Sequence, residues 1–247
     1  VQRLIEMGWA VVTSVQGRGV VPEQHPMSLG AFNVQKPAEA LYAQVDAMLV
    51  VGSRLRSNET LNYTLQLPHQ RYRIDANPLA DQRAYSSELF LHADASLALH
   101  ALADRLQGRM RTDANWPQAV AQARQAAEAV GDASLGPYVA LKDSLNRVQK
   151  QTAQGLWWVR DITLSNSMWG NRSLWLDHPR AGVHALGGGI GQGLARVHPR
   201  RCRRLIHRHQ KAPRTLPRPK RQGRIRRQIG VALAQMLGFP KGQMQGE

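Results

Sequence analysis

Two stretches of the sequence, about twenty residues apart, carry residue types that can bind a phosphate group. The first contains Thr163, Ser165 and Asn166, whose small polar side chains can donate hydrogen bonds to phosphate oxygens. The second is 187–194, where four of the first five positions are glycine. Glycine lets the backbone come close to a ligand, because no side chain stands between the amide groups and the guest. Taken alone, each stretch is a weak signal for a site that binds a phosphate group.

Each stretch also has an ordinary structural interpretation, which the residues alone leave open. A run of glycines often forms a tight turn or lets helices pack closely, and Ser165-Asn166-Ser167 is typical of a turn or a helix cap. The common nucleotide motifs are absent, since the glycine run does not match G-x-G-x-x-G and no G-x-x-x-x-G-K-[ST] occurs. That absence disfavours nicotinamide and nucleoside-triphosphate enzymes.

These stretches need a scaffold, and the hydrophobic pattern predicts one of alternating strands and helices. A glycine-bearing loop at 17–19 and the prolines at 22 and 26 exclude regular structure up to about Ser28. The apolar run 46–51 fits a strand buried on both faces. Strands are predicted over 10–15, 46–51, 71–75, 89–91 and 156–162, the last ending just before Thr163.

Helices are predicted between and after these strands. Asp94 is a suitable cap for a helix that carries Leu99, Leu102 and Leu106 on one face. Further helices are predicted over 118–130, which is rich in alanine, over 139–151, and as a short element over 229–237, with a turn over 131–136.

Composition excludes several classes of protein. The 247 residues are 43% hydrophobic and 20% charged, which is typical of a globular chain. No apolar run approaches the ~20 residues that cross a bilayer, and no basic-then-apolar leader opens the chain. We therefore expect neither a membrane span nor secretion. The single cysteine, Cys202, permits no internal disulfide, which suits a cytoplasmic protein.

The net charge of +16 is concentrated at one end of the chain. Residues 1–195 carry 18 basic and 16 acidic residues, whereas residues 196–247 carry 15 basic residues and one acid, Glu247. The body is thus nearly neutral, and the function of the tail must be considered separately.

The two phosphate-binding stretches resemble a known family when they are taken together with their order and spacing. Ser165-Asn166-Ser167-Met168-Trp169 followed by 187–195 resembles the opening of the diphosphate-binding domain of thiamine-diphosphate enzymes, of the acetolactate synthase and benzoylformate decarboxylase type. The stretches 12–30, 46–55 and 74–78 are similar to the middle domain of the same enzymes. The resemblance covers roughly residues 1–195.

The resemblance implies both a fold and a set of binding residues. The fold is α/β, with a doubly wound, mostly parallel sheet in the middle domain and an incomplete α/β diphosphate-binding domain after it. The implied division is 1–106 middle domain, 107–138 linker, 139–195 start of the diphosphate-binding domain and 196–247 basic tail. By the same resemblance Thr163, Ser165 and Asn166 contact the diphosphate, Gly188 lies beside the cofactor, and Ile190 lies under the bend between its two rings.

The implied activity is decarboxylation or carboligation of a 2-oxo acid, with thiamine diphosphate and Mg²⁺ as cofactors and a homo-oligomer as the intact assembly. The family also has a pyrimidine-binding domain and a Gly-Asp-Gly segment whose oxygens hold the magnesium, and this sequence contains neither. No acid occurs between Asp177 and Glu247. We therefore expect a fragment that is inactive as an isolated chain, with no catalytic residue or metal ligand of its own, and we do not predict flavin.

The basic tail has two interpretations. A run of arginine and proline binds polyanions through nonspecific phosphate contacts, so a noncatalytic nucleic-acid-binding protein is the alternative function. The change after Ala195 is also what GC-rich coding DNA yields when it is read out of frame, which is the interpretation we favour. In either case we expect the tail to be largely disordered.

Overall fold

The computed structural model describes residues 1–81, 84–110, 113–151, 158–160, 172–179, 181–184 and 235–237. Its helices are α1 (Gln2–Glu6), α2 (Lys36–Tyr42), α3 (Ala95–Leu106), α4 (Trp116–Leu135) and α5 (Val139–Gln151), with short 3-10 helices at Ser57–Glu59 and Gly136–Tyr138. Its strands are β1 (Ala10–Val12), β2 (Ser28–Gly30), β3 (Ala47–Val51), β4 (Gln70–Asp75), β5 (Leu89–His92), β6 (Trp158–Arg160), β7 (Gly182–His184) and β8 (Gln235–Leu237). None of the described helices combines the length and the apolar character that a bilayer crossing requires.

Six strands form one sheet in the order β2-β1-β8-β3-β4-β5. β1 pairs with β2, and β4 pairs with β3 and β5, all in parallel. Among the described strands of this sheet only β8 is antiparallel, and it lies between β1 and β3. Because β8 is antiparallel to both neighbours, β1 and β3 point the same way, and the five parallel strands end at one edge of the sheet. The predicted α/β fold with a mostly parallel sheet is confirmed.

The apolar run that predicts β3 forms a central strand of this sheet. All five of its residues are buried, and they pair with β4 in register from Ala47↔Gln70 to Val51↔Ile74. A strand covered on both faces has no polar side to alternate with, which explains its continuous apolar sequence. β1, β4 and β5 also form within the predicted ranges or one residue beyond them.

The helix predicted after Asp94 is confirmed together with its cap. The Asp94 carboxylate accepts hydrogen bonds from the backbone N–H groups of Ser96 and Leu97, at 2.9 and 3.0 Å. These bonds satisfy two of the amide groups that have no partner in the first turn of a helix. Leu99 and Ala103 are the buried residues of α3, and Leu102 and Leu106 pack against the core from partly buried positions.

The helix α4 is longer at both ends than the sequence predicts. It begins at Trp116 and continues to Leu135, so the turn predicted over 131–136 is wrong. Gly131 and Leu135 are buried in its last turns, and this packing outweighs the low helix propensity of glycine. The chain leaves the helix at Gly136, where φ is +54°.

The interval 107–138, predicted as a linker, therefore contains the whole of the long helix α4. α4 packs against α2 and β2, and its Trp116 and Val120 belong to the same buried core as the central strands. The domain boundaries remain a prediction, but this interval contributes to the core of residues 1–106.

Two further differences concern very short strands. β2 and β7 are three residues long and were not predicted, because three residues are too few to show a period. Residues 235–237 form β8 where a helix was predicted, since their backbone pairs with β1 and β3. The other residues of 196–247 lie outside the described residues.

Candidate functional site

The predicted cofactor-binding residues Thr163, Ser165, Asn166, Gly188 and Ile190 lie outside the described residues. The structure does describe the strands that lead into them. β6 ends at Arg160, three positions before Thr163, and β7 ends at His184, four positions before Gly188. The strand predicted over 156–162 is thus confirmed for its three described residues.

β6 and β7 form a two-stranded parallel sheet of their own. Their register pairs Trp158 with Gly182 and Arg160 with His184. Paired parallel strands end side by side, about 4.8 Å apart. Each predicted cofactor segment therefore follows, within four positions, the carboxyl end of one of two neighbouring strands. In open α/β sheets this edge is where ligands bind.

The residues 172–179, which we name the connecting segment, lie between the two predicted cofactor segments in the sequence. Glu23 binds this segment through backbone and side chain. Its N–H donates to the carbonyl of Leu176 at 3.1 Å, and its carboxylate accepts from the N–H of Leu176 at 2.9 Å. Arg18 donates to the carbonyl oxygen of Leu174. The loop after β1 thereby holds the connecting segment against the central sheet.

Arg18 and Glu23 form a buried ion pair. Their side chains are 5% and 2% exposed, and Arg18 donates from Nε and Nη2 to the two carboxylate oxygens at 2.7 and 2.5 Å. Removing two charges from water costs several kcal/mol per ion in effect, so a buried pair needs this bidentate geometry and further hydrogen bonds to be tolerated. Leu174 and Leu176 supply those further bonds.

Arg172 fixes the beginning of the connecting segment to the loop after β2. Its guanidinium donates to the carbonyl oxygen of Ala31 and, at 2.7 Å, to Oδ1 of Asn33. Burial, reinforced by the nearby positive charge of Arg18, lowers the pKa of Arg172 to about 10. The group remains charged at neutral pH.

Helix α5 holds the other side of the connecting segment. The buried Asn146 donates to the carbonyl of Ser173 at 3.1 Å and accepts from the N–H of Trp175 at 3.0 Å. Gln149 donates to the carboxylate of Asp177 at 3.0 Å, and Nζ of Lys150 lies 4.5 Å from the centre of the Trp175 ring. The segment is therefore bound from two sides.

Two glycines allow the connecting segment to lie close to its neighbours. Gly19 has φ of +77°, and a Cβ at this position would overlap the carbonyl oxygen of His178. A Cβ at Gly182 would lie 2.8 Å from Cδ1 of Leu176. Gly182 is the first residue of β7, so Leu176 packs directly against that strand.

The sequence pointed to Gly17-Arg18-Gly19 and Glu23 only through the family resemblance, and assigned them no role. The available signal was a pair of opposite charges five positions apart in a loop otherwise rich in glycine, proline and apolar residues. Charged side chains are rarely buried, so this signal alone does not predict a buried pair.

For metals, the described residues contain no group of three or more His, Cys, Asp or Glu side chains that could hold an ion.

Comparison with known proteins decides the family. Residues 1–102 match the model of the thiamine pyrophosphate enzyme central domain. The first 102 residues of this chain belong to the thiamine pyrophosphate enzyme central domain. Thiamine pyrophosphate is thiamine diphosphate, so the predicted family resemblance is confirmed, and the strands β1 to β5 of the central sheet lie within this domain.

A curated relative is similar over a longer stretch than the central domain. It is the probable 2-ketoarginine decarboxylase of Pseudomonas aeruginosa, 30% identical over 184 residues, which are 74% of this chain. The aligned part is 32% of the relative, so this chain spans about a third of the length of the protein that it matches. The similarity extends beyond residue 102 and therefore includes part of the region after the central domain.

Proposed function

We propose that this chain is part of an enzyme that uses thiamine diphosphate to decarboxylate or carboligate a 2-oxo acid. Membership of the thiamine pyrophosphate enzymes supports the cofactor. The relative's name, a 2-ketoarginine decarboxylase, describes the decarboxylation of a 2-oxo acid and supports that class of substrate. A cytoplasmic location and a homo-oligomeric assembly belong to the same proposal.

The observation that carries the proposal is the parallel register of β6 and β7. It brings the ends of the strands before Thr163 and before Gly188 to one edge, where a single ligand can reach both segments. In the proposal Thr163, Ser165 and Asn166 hold the diphosphate, the glycines around Gly188 admit the cofactor close to the backbone, and Ile190 supports its bend. Bound thiamine diphosphate supplies the electron sink for the carbanion, and the protein binds and orients it.

We propose Mg²⁺ as a cofactor of the intact enzyme and not of this chain alone, because the sequence that follows β7 contains no carboxylate to bind it before Glu247. A hard cation requires oxygen ligands, and residues 178–246 contain no carboxylate. We therefore expect this chain alone to bind the cofactor weakly and to be inactive.

Calorimetric titration of the full chain with thiamine diphosphate, with and without Mg²⁺, tests the proposal. We expect weak, saturable binding that Mg²⁺ changes little and that the double variant Thr163→Val, Asn166→Ala abolishes. Ser144→Ala is the control, because the Ser144 hydroxyl caps a carbonyl on the exposed side of α5. Wild-type chain that does not bind would contradict the site, and micromolar Mg²⁺-dependent binding would contradict the account of the metal.

A second, separable proposal concerns the tail. Residues 196–247 carry 15 basic residues against one acid, and this imbalance favours nonspecific binding of nucleic acid through phosphate contacts. Such binding would not require the cofactor site.

A further inference from the structure

We propose that the Arg18–Glu23 ion pair is a positioning element, which fixes the connecting segment and, through it, the carboxyl ends of β6 and β7 relative to the central sheet. The effect of the ion pair on the position of these strand ends can be tested without any cofactor. Only its effect on cofactor binding rests on the proposed function.

A continuous series of contacts joins the central sheet to β7. Arg18 binds Glu23, and Glu23 binds both backbone groups of Leu176. The Leu176 side chain is buried and packs against Gly182, whose backbone is paired in register with Trp158 of β6. Each step is a hydrogen bond or a close packing contact, so displacement of Glu23 must displace Leu176 and the strand that packs on it.

The connecting segment lies between the two predicted cofactor segments in the sequence. Arg172, its first residue, lies six positions after Asn166, and β7, which follows it, ends four positions before Gly188. The Trp158 N–H also donates to the carbonyl of Ala181 at 2.6 Å, which links β6 to the chain just after the segment. Fixing the connecting segment therefore restrains the first residues of both strands, the chain after the first cofactor segment and the chain before the second.

A buried ion pair suits positioning better than it suits stabilisation. The desolvation of two charges offsets most of their attraction, so such a pair adds little net stability. Its cost is recovered only when every hydrogen-bonding group has its partner, and Arg18 and Glu23 obtain theirs from Leu174 and Leu176. Other placements of the connecting segment would leave these charges without partners in a buried site. The pair thus selects one position of the segment.

Hydrogen–deuterium exchange of the full chain, followed by peptide mass spectrometry, tests the proposal without cofactor. Glu23→Gln removes the charge and keeps the shape of the side chain. We expect exchange in peptides covering 172–184 to become faster by about tenfold or more, since a hydrogen bond to a charged group is lost. Peptides covering β3 should be unchanged.

The matched control is Glu39→Gln. Glu39 also makes one ion pair, with Lys36 at 2.5 Å, and accepts one backbone N–H, that of Gln66 at 2.7 Å. It lies on α2, and its polar partners among the described residues are Lys36 and Gln66, so its substitution should leave exchange of 172–184 unchanged.

A second variant, Arg18→Lys, keeps the proposal testable if Glu23→Gln fails to fold. Arg18→Lys keeps the charge of the pair but cannot bind both carboxylate oxygens and the Leu174 carbonyl together, so it should give a smaller change in the same peptides. Unchanged exchange of 172–184 in both variants would overturn the proposal. An equal acceleration in β3 and in 172–184 would overturn it too, because the pair would then only stabilise the whole fold.

Titration of the same variants with thiamine diphosphate separates this proposal from the proposed function. We expect Glu23→Gln to weaken the binding that the wild-type chain shows and Glu39→Gln to leave it unchanged. If the wild-type chain binds no thiamine diphosphate, the proposed function fails, whereas the exchange measurement still decides whether Arg18 and Glu23 position the strands.

Discussion

A side chain at Gly19 would destabilise the fold in two ways, through the backbone conformation and through steric overlap. The φ of +77° at Gly19 disfavours any L-residue, and a Cβ would also overlap the carbonyl oxygen of His178. Gly108 has a similar φ of +73° and nothing within 4 Å of a Cβ. We predict that Gly19→Ala lowers the free energy of unfolding by about 2–4 kcal/mol, whereas Gly108→Ala lowers it by about 1 kcal/mol.

Urea denaturation of the two alanine variants measures this difference. The loss in free energy of unfolding at Gly108 comes from the backbone conformation alone, and the additional loss at Gly19 comes from the contact with the connecting segment. Equal losses at the two positions would show that the segment does not lie against Gly19.

The raised pKa of Glu128 on α4 should make the stability of the fold depend on pH. Burial raises the pKa of its carboxyl, and the positive charge of Arg124 opposes this only in part. A raised pKa in the folded state means that the folded chain binds more protons than the unfolded chain. Stability therefore falls as the pH rises from the ordinary glutamate pKa through the folded pKa.

We predict that Glu128→Gln, which cannot ionise, stabilises the chain at pH 7 and that this gain vanishes at a pH below the ordinary glutamate range. Denaturant midpoints at the two pH values measure the effect. Glu88→Gln is the control, since Glu88 is exposed. Equal effects of the two substitutions at pH 7 would contradict the prediction.

The buried charges show what the sequence cannot predict at this scale. Arg73 belongs to a strand that the sequence did predict, yet its guanidinium is buried and binds the carbonyl oxygens of Ala80 and Tyr85 in the loop after that strand. Which loop carbonyls meet a given arginine depends on tertiary folding, and so does the pairing of Arg18 with Glu23. Residue types suited to diphosphate binding could be named from the sequence, because that chemistry needs only a few kinds of side chain, but the site that they form stays a prediction.

At the scale of elements, α4 should remain bound even when the chain before it is cut. Its Arg124 donates to the backbone carbonyls of His25 and Ser28, at 2.9 and 3.2 Å, and its Trp116 and Val120 are buried in the core. We predict that brief trypsin treatment cleaves in the basic tail and at the exposed Arg109, and that the fragments before and after Arg109 elute together in gel filtration.

The substitution Arg124→Met should let the cleaved fragments separate under mild denaturant, because three carbonyls of the loop before β2 lose their donor. Arg147→Met, on the exposed side of α5, should have no such effect. Separation of the wild-type fragments in buffer would show that 107–138 is a linker after all.

Elements with a clear apolar pattern could be predicted, and so could the three-residue strands β1 and β6, which lie within the longer predicted ranges 10–15 and 156–162. α5 was predicted with both ends correct, and β3 and α3 within one residue, because each has a continuous or periodic apolar pattern. β2 and β7 have three residues each, so no period can appear. The sequence missed β8 for another reason, since its strand conformation depends on partners more than 180 residues away.

At the scale of the whole molecule, the separation of charge predicts salt-sensitive binding. We expect the full chain to bind single-stranded RNA without sequence preference at low salt and to lose that binding steeply as salt rises. Exchanging seven arginines for glutamine should abolish binding while the residues of β8 are kept. The seven are Arg200, Arg201, Arg203, Arg204, Arg224, Arg226 and Arg227.

The matched control replaces the same seven arginines with lysine. Because nonspecific binding depends on charge, the lysine variant should retain most of the affinity and of the salt dependence, as measured by fluorescence anisotropy with a labelled RNA. Loss of binding in the lysine variant, or strong sequence preference in the wild-type chain, would show specific recognition by the tail.

The long helix α4 also restricts how this protein can diverge. Arg124 binds the loop before β2, and Asp132, eight positions later, binds Lys142 of α5 at 2.6 Å. One residue inserted between them would rotate the second contact by about 100° relative to the first and shift it by about 1.5 Å. Seven inserted residues would nearly restore the angle but lengthen the helix by about 10 Å. Both the number of residues between Arg124 and Asp132 and the angle between their side chains around the helix are therefore fixed. Variation in chain length between homologues should occur at 107–115 instead.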